Sequence, residues 1–194
     1  MALIYIHGFN SSPASLKSRQ TADWLSLHHP DVTFYCPRLS NEPDVAIGQL
    51  RDLVEGAQPP VGLVGSSMGG YYATWLAERY GVRAVLINPA VKPYELMLDY
   101  LGENANYHTG ERYVLEPRHV EEVRRLEVTA PLHCDRYWVL LQTGDEVLDY
   151  RQAETRYKGC HISIEQGGDH SFQDYQRHLP EIFEFLQLSP ECHE

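Results

Sequence analysis

Three short stretches place reactive side chains where a serine-dependent acyl transfer would need them. Gly65-Ser66-Ser67-Met68-Gly69 satisfies the pattern G-x-S-x-G with Ser67 at its centre. A serine hydroxyl is a weak nucleophile and needs a base within hydrogen-bond reach, itself oriented by a carboxylate. Both partners follow in the chain, first in Thr143-Gly144-Asp145-Glu146-Val147-Leu148-Asp149, then in Gln166-Gly167-Gly168-Asp169-His170-Ser171-Phe172. Of the ten histidines, His170 is the expected base because its glycine-loosened loop comes directly after an apolar run. Asp145 is the expected acid. Asp149 and Glu146 are its rivals, and either could instead cap a helix or carry solvated charge.

The same chemistry needs N–H donors for the oxyanion. Met68 supplies one if a helix starts directly after Ser67, since the first amides of a helix are unpaired and lie at the positive end of its dipole. A second should come from His7-Gly8-Phe9-Asn10-Ser11-Ser12-Pro13, which follows the first apolar run. The H-G-x start favours the N–H of Phe9, with Asn10 as runner-up. The bland alternative is an irregular loop in which Ser11 or Ser12 caps the next helix. Ser66 reads as a turn residue only.

Six apolar runs frame these stretches: Leu3–His7, Val32–Cys36, Val61–Gly65, Ala84–Asn88, Tyr137–Gln142 and His161–Glu165. Runs that are apolar throughout suit parallel strands buried on both faces. Segments of helical period alternate with them. Ser15–Leu27 sets Leu16, Trp24 and Leu27 on one side, and Asp44–Val54 aligns Val45, Ile47, Leu50 and Val54. Met68–Tyr80 ends at Gly81, and Phe172–Leu188 closes the pattern with a kink or restart at Pro180. Strand, sharp turn and immediate helix around Ser67 are the setting of a nucleophile elbow. Strands alternating with helices predict a mainly parallel α/β sheet of about six strands, covered on both faces.

Residues 91–134 break the rhythm. A single crossover needs far fewer residues, so this stretch, with helix-like Lys92–Leu101 and Pro117–Glu127, reads as a helical cap inserted into one domain spanning 1–194. Tyr71, Tyr72, Tyr94, Tyr100 and Tyr107 are candidates to line an acyl pocket beneath it, or equally to pack the core.

The formal net charge of −11 and a pI near 5.3 argue against nucleic acid and anionic membrane surfaces as partners. No apolar stretch reaches the length of a membrane span, and MALIYIHGF lacks the parts of a secretory signal. Cys36, Cys134, Cys160 and Cys192 are dispersed, as in free thiols of a reducing compartment, so the cytoplasm is the expected location. No histidine or cysteine spacing suggests a metal, and no organic cofactor is expected.

LIYIHGFNSSP, GSSMGG, TGDEVLD and GGDHSF, in that order, make the chain resemble a small α/β-hydrolase. More closely, it resembles the YqiA-type bacterial esterases, along nearly its whole length. That resemblance implies a compact α/β-hydrolase fold and a Ser67, Asp145, His170 triad. It also implies hydrolysis of small-molecule carboxylic esters, with acyl thioesters such as acyl-CoA as further substrates. The elbow alone leaves other reactions open: peptide, lactone or carbon–carbon hydrolysis, acyl transfer, or a non-catalytic binder on the same fold.

Overall fold

The computed structural model describes residues 1–106 and 109–188. Six parallel strands form the central sheet: β1 (Ala2–Ile6), β2 (Thr33–Tyr35), β3 (Val61–Ser66), β4 (Arg83–Ile87), β7 (Tyr137–Gln142) and β8 (His161–Glu165). Their spatial order is β2-β1-β3-β4-β7-β8. The apolar runs of the sequence are these strands, shifted by a residue or two at their ends.

Residues of β1 alternate between two cores. Leu3 and Tyr5 face one, Ile4 and Ile6 the other, and all are at most 1% exposed. On the first face lie α1 (Leu16–His28) and α7 (Leu179–Leu186), whose Leu25, Leu179, Ile182, Phe183 and Leu186 are buried there. On the second lie α2 (Pro43–Gly56), α3 (Met68–Tyr80) and α6 (Tyr150–Arg156). Gly81 ends α3 with φ 69°, a left-handed cap that glycine adopts without strain. Burial of β1, β3, β4 and β7 on both faces explains their continuous apolar character, whereas the edge strands β2 and β8 are half-buried or exposed.

Several expectations need correction. On α1 the buried face is Ser18, Thr21 and Leu25, whereas Leu16 and Leu27 are 63% and 77% exposed. Thr21 Oγ1 meets Tyr175 Oη at 2.9 Å there, so hydrogen bonding replaces the apolar stripe. On α2, Val45 is exposed while Ile47, Leu50 and Val54 are buried. The C-terminal segment is not one helix from Phe172. Phe172 and Asp174 hold φ of 61° and 57°, a short 3-10 turn spans Tyr175–His178, and α7 starts at Leu179. Pro180 sits in its first turn, where the missing N–H costs nothing. Helix α6 follows the acidic loop and had no clear period.

Residues 91–134 hold α4 (Pro93–Met97), a 3-10 turn at Leu98–Tyr100, and α5 (Pro117–Arg124). Between these, in the stretch separating the two helix-like segments, lies an antiparallel hairpin, β5 (Gly102–Ala105) and β6 (Arg112–Leu115). Strands of only four residues, one of them Gly-Glu-Asn-Ala, are too short and too polar to give a periodic apolar signal. Helix α5 docks on α2 through His119, which is 1% exposed. Its Nδ1 accepts from the Glu116 N–H and its Nε2 meets Glu42 Oε2 at 3.0 Å. Among the described residues no helix is long and apolar enough to cross a membrane. Cys36, Cys134 and Cys160 are free thiols, and Cys192 lies outside the described residues.

Candidate active site

In an open parallel sheet, a crevice forms where neighbouring strands send their chains in opposite directions. That point here lies between β1 and β3. The chain leaves β1 towards β2 on one side, and leaves β3 towards β4 on the other. The loops holding Phe9 and Ser67 emerge at this division.

Ser67 occupies the turn between β3 and α3 with φ 55° and ψ −121°, a strained conformation for a residue bearing a side chain. Surrounding contacts over-determine it. The Ser67 N–H donates to the Ile87 carbonyl at 3.0 Å, and its own carbonyl accepts from Gly70 and Ala90. The turn is too tight for neighbouring side chains. A Cβ on Gly65 would lie 2.4 Å from the Gly69 carbonyl oxygen, and one on Gly69 would lie 1.9 Å from that of Ile6. Close approach of backbones is thus the reason for both glycines of the G-x-S-x-G pattern.

His170 Nε2 lies 3.1 Å from Ser67 Oγ. Its Nδ1 lies 3.0 and 2.9 Å from the two oxygens of Asp145. The Asp145 side chain is 2% exposed, and its Oδ1 also accepts from the N–H groups of Val147 and Leu148, at 2.9 and 2.8 Å. Those bonds fix the carboxylate before the imidazole meets it. The three side chains singled out in the sequence therefore form one continuous hydrogen-bonded line.

The rival acids lie elsewhere. Asp149 caps α6, accepting from the backbone and side chain of Arg151, and these bonds hold its carboxyl below the usual carboxylate range. Glu146 accepts the His170 backbone N–H at 3.0 Å and so touches the base without meeting its ring. Asn88, buried at the end of β4, was not singled out by sequence. Its Nδ2 donates to the carbonyls of Asp169 and His170, and its Oδ1 accepts from the Gln142 N–H. It staples the His170 loop across two strands.

Gly8 brings the β1 loop against the elbow, since a Cβ there would lie 3.2 Å from Ser67 Cβ and 3.7 Å from its Oγ. Phe9 follows Gly8 in this loop, and Met68 opens α3 directly after Ser67. Two spaces adjoin them. A cavity of about 40 Å³ is bounded by Phe9, Leu39, Met68, Tyr72 and Met97 and by the polar His7 and Asn41, among others. A groove of about 720 Å³ runs from Ser67 and His170 past Ser15, Lys17, Gln20 and Gln176. Lys17 Nζ donates to the Ser171 carbonyl at 2.5 Å. Burial pulls the ammonium down to about 8, against the opposing influence of Asp169 and Asp145.

The other tyrosines divide. Tyr71 donates to the Val123 carbonyl and Tyr94 lies under Arg124, both packing the core, while Tyr100 meets the Phe9 ring. Tyr107 lies outside the described residues. Among the described residues no three His, Cys, Asp or Glu side chains converge as a metal site requires.

Comparison with solved structures places the chain among proteins of the α/β-hydrolase fold. Mouse alpha/beta hydrolase domain-containing protein 10 superposes with a TM-score of 0.70 at 17% identity, covering 94% of this chain and 88% of that one. Est1E from Butyrivibrio proteoclasticus, solved with ferulic acid bound, gives 0.74 at 14% identity, covering 95% and 87%. At such identities the likeness is one of fold. The chain belongs to the uncharacterised protein family UPF0227, whose model matches residues 2–187, in keeping with the YqiA-type resemblance. A UPF0227 protein of Serratia proteamaculans is 28% identical over 197 residues, covering 96% of this chain and 99% of that protein. One from Yersinia enterocolitica is 27% identical over 198 residues, with the same coverage.

Proposed function

We propose that this protein is a serine esterase that hydrolyses carboxylic esters, and acyl thioesters of similar shape, through an acyl-enzyme on Ser67. The observation that carries this reading is the Asp145–His170–Ser67 line ending on a serine of positive φ. Strain of that kind persists where geometry is held for chemistry. The fold is shared with Est1E and with the metagenome-derived lipolytic enzymes LipS and LipT, which favours ester cleavage over the other reactions the elbow allows.

In the proposed cycle His170 Nε2 takes the Ser67 proton as Oγ attacks the acyl carbonyl. The N–H groups of Phe9 and Met68 stabilise the resulting oxyanion. Asp145 holds the Nδ1 proton and stabilises the imidazolium, which then protonates the departing alcohol or thiol. Water, deprotonated by the same nitrogen, attacks the acyl-enzyme and releases the acid. No step calls for a metal or organic cofactor.

The 91–134 segment acts as the cap in this reading. Leu98 and Leu101 are 50% and 41% exposed, whereas Met97 is 3% exposed and closes the 40 Å³ cavity beside Phe9 and Met68. We assign that cavity to the acyl chain and the groove at Lys17, which mixes polar and apolar lining, to the leaving group. A space this small admits short chains. Met97→Ala should therefore raise the octanoyl-to-acetyl ratio of kcat/KM, by about fourfold per newly accommodated methylene at ~0.8 kcal/mol each. Equal changes on both esters would remove Met97 from acyl selection.

The reading as a whole is tested by hydrolysis of p-nitrophenyl esters of increasing length beside acyl thioesters, together with labelling by a fluorophosphonate. Ester turnover and labelling at Ser67 are the expected results. A well-folded protein that neither turns over esters nor reacts with the probe would overturn it.

A further inference from the structure

The loop after β1 is held from the hairpin. Asn10 is 8% exposed and has φ 54°, a conformation asparagine tolerates at the third position of a turn. The Ser11 N–H closes that turn on the Gly8 carbonyl at 3.3 Å. Asn10 Oδ1 accepts a 2.6 Å hydrogen bond from Tyr113 Oη on β6. Asn106 Nδ2 donates to the Ser11 carbonyl at 3.1 Å. The Phe9 ring stands edge-on to Tyr100 and Tyr113, with centroids 5.9 and 6.2 Å apart. Three consecutive residues, Phe9 to Ser11, thus take contacts from Tyr100, Asn106 and Tyr113.

We propose that Tyr113 is a positioning residue, which fixes Asn10 and through it the Phe9 N–H in the orientation that stabilises the oxyanion. The inference rests on the acyl-enzyme reading above. An oxyanion donor accelerates the reaction only if it is aimed before charge develops, because reorienting a loop amide during the reaction costs what the hydrogen bond returns. Gly8 offers no side chain to stiffen the approach to Phe9, and the turn is closed by a single long hydrogen bond. The Tyr113 hydroxyl supplies a second, shorter restraint at the left-handed residue. The hairpin would then act on the rate of the acyl step and not only on which substrate enters.

Tyr113→Phe tests this, since it keeps the ring against Phe9 and removes only the hydroxyl. The expected result is a fall in kcat of about tenfold, the size of one hydrogen bond's net contribution, with KM for p-nitrophenyl acetate unchanged. Affinity for a trifluoromethyl ketone, which forms a tetrahedral adduct, should weaken by the same factor. A merely structural role would lower Tm without separating kcat from KM. Asn10→Ala should reproduce the loss, and the double variant should be no slower than either single variant, because both remove one bond. Asn10→Gly provides the check if Asn10→Ala proves unstable, because glycine removes the acceptor and keeps the positive φ without strain. Unchanged kcat in a folded single variant, or losses that multiply in the double, would overturn the proposal. Neither outcome touches the role of Ser67, which is read separately from probe labelling.

Discussion

Ser67→Ala abolishes ester hydrolysis and fluorophosphonate labelling while the protein stays folded: this is the expected result with the largest effect. Loss of the nucleophile typically costs on the order of 10⁴-fold or more in kcat. Stability should not fall with it, because the contacts that define the turn are made by the Ser67 backbone and alanine keeps them. Its neighbour provides the control. Ser66 is the last residue of β3 and is buried at 7% exposure, so Ser66→Ala should retain substantial activity. Measured kcat/KM on a short p-nitrophenyl ester decides it. Equal inactivation of both folded variants would place the nucleophile in the wrong register.

The second large effect concerns the acid. Asp145→Asn should lose about 10⁴-fold in kcat, the scale seen for the matching change in a well-studied serine protease. The geometry gives the reason. Oδ1 of the new amide can still accept from Val147 and Leu148, so its NH₂ group turns to His170 Nδ1. Nδ1 must then be the acceptor, the proton moves to Nε2, and the imidazole can no longer take one from Ser67. Asp149→Asn should change little, since asparagine caps a helix as well as aspartate does. A larger loss in the Asp149 variant would move the acid there.

How much of this was legible in the sequence depends on where each residue's constraint comes from. Ser67, Asp145 and His170 stand just past apolar runs, and parallel sheets put functional loops at that end of their strands, so linear position sufficed to single them out. Gly65 was legible for a related reason, because backbone within five residues imposes it, whereas Gly69 is imposed by the distant Ile6 carbonyl and was legible only through the G-x-S-x-G pattern. Asn88 and Tyr113 carried no such mark. Their partners lie some eighty and one hundred residues away in sequence, and an asparagine ending a strand or a tyrosine in a hairpin fits many environments. The faces of α1 were misread because its inner side is hydrogen-bonded through Thr21, which no apolar period reports. The segment from Phe172 to His178 looked helical, yet it carries left-handed residues set by the loop that presents His170.

One consequence follows from which strand bears that histidine. Among the described residues β8 lies at the rim of the sheet, bonded to β7, and its residues are half-buried or exposed where those of β3 are nearly all buried. Ser67 and His170 therefore belong to parts of the molecule with different resistance to local opening. Peeling β8 away would part His170 from Ser67, and so stop the proposed hydrolysis, while the inner strands kept their pairing. Warmed gradually, the protein should stop working some degrees before its far-UV circular dichroism collapses, and should regain activity on cooling from that interval. Coincident midpoints would bind the rim to the rest as a single cooperative unit.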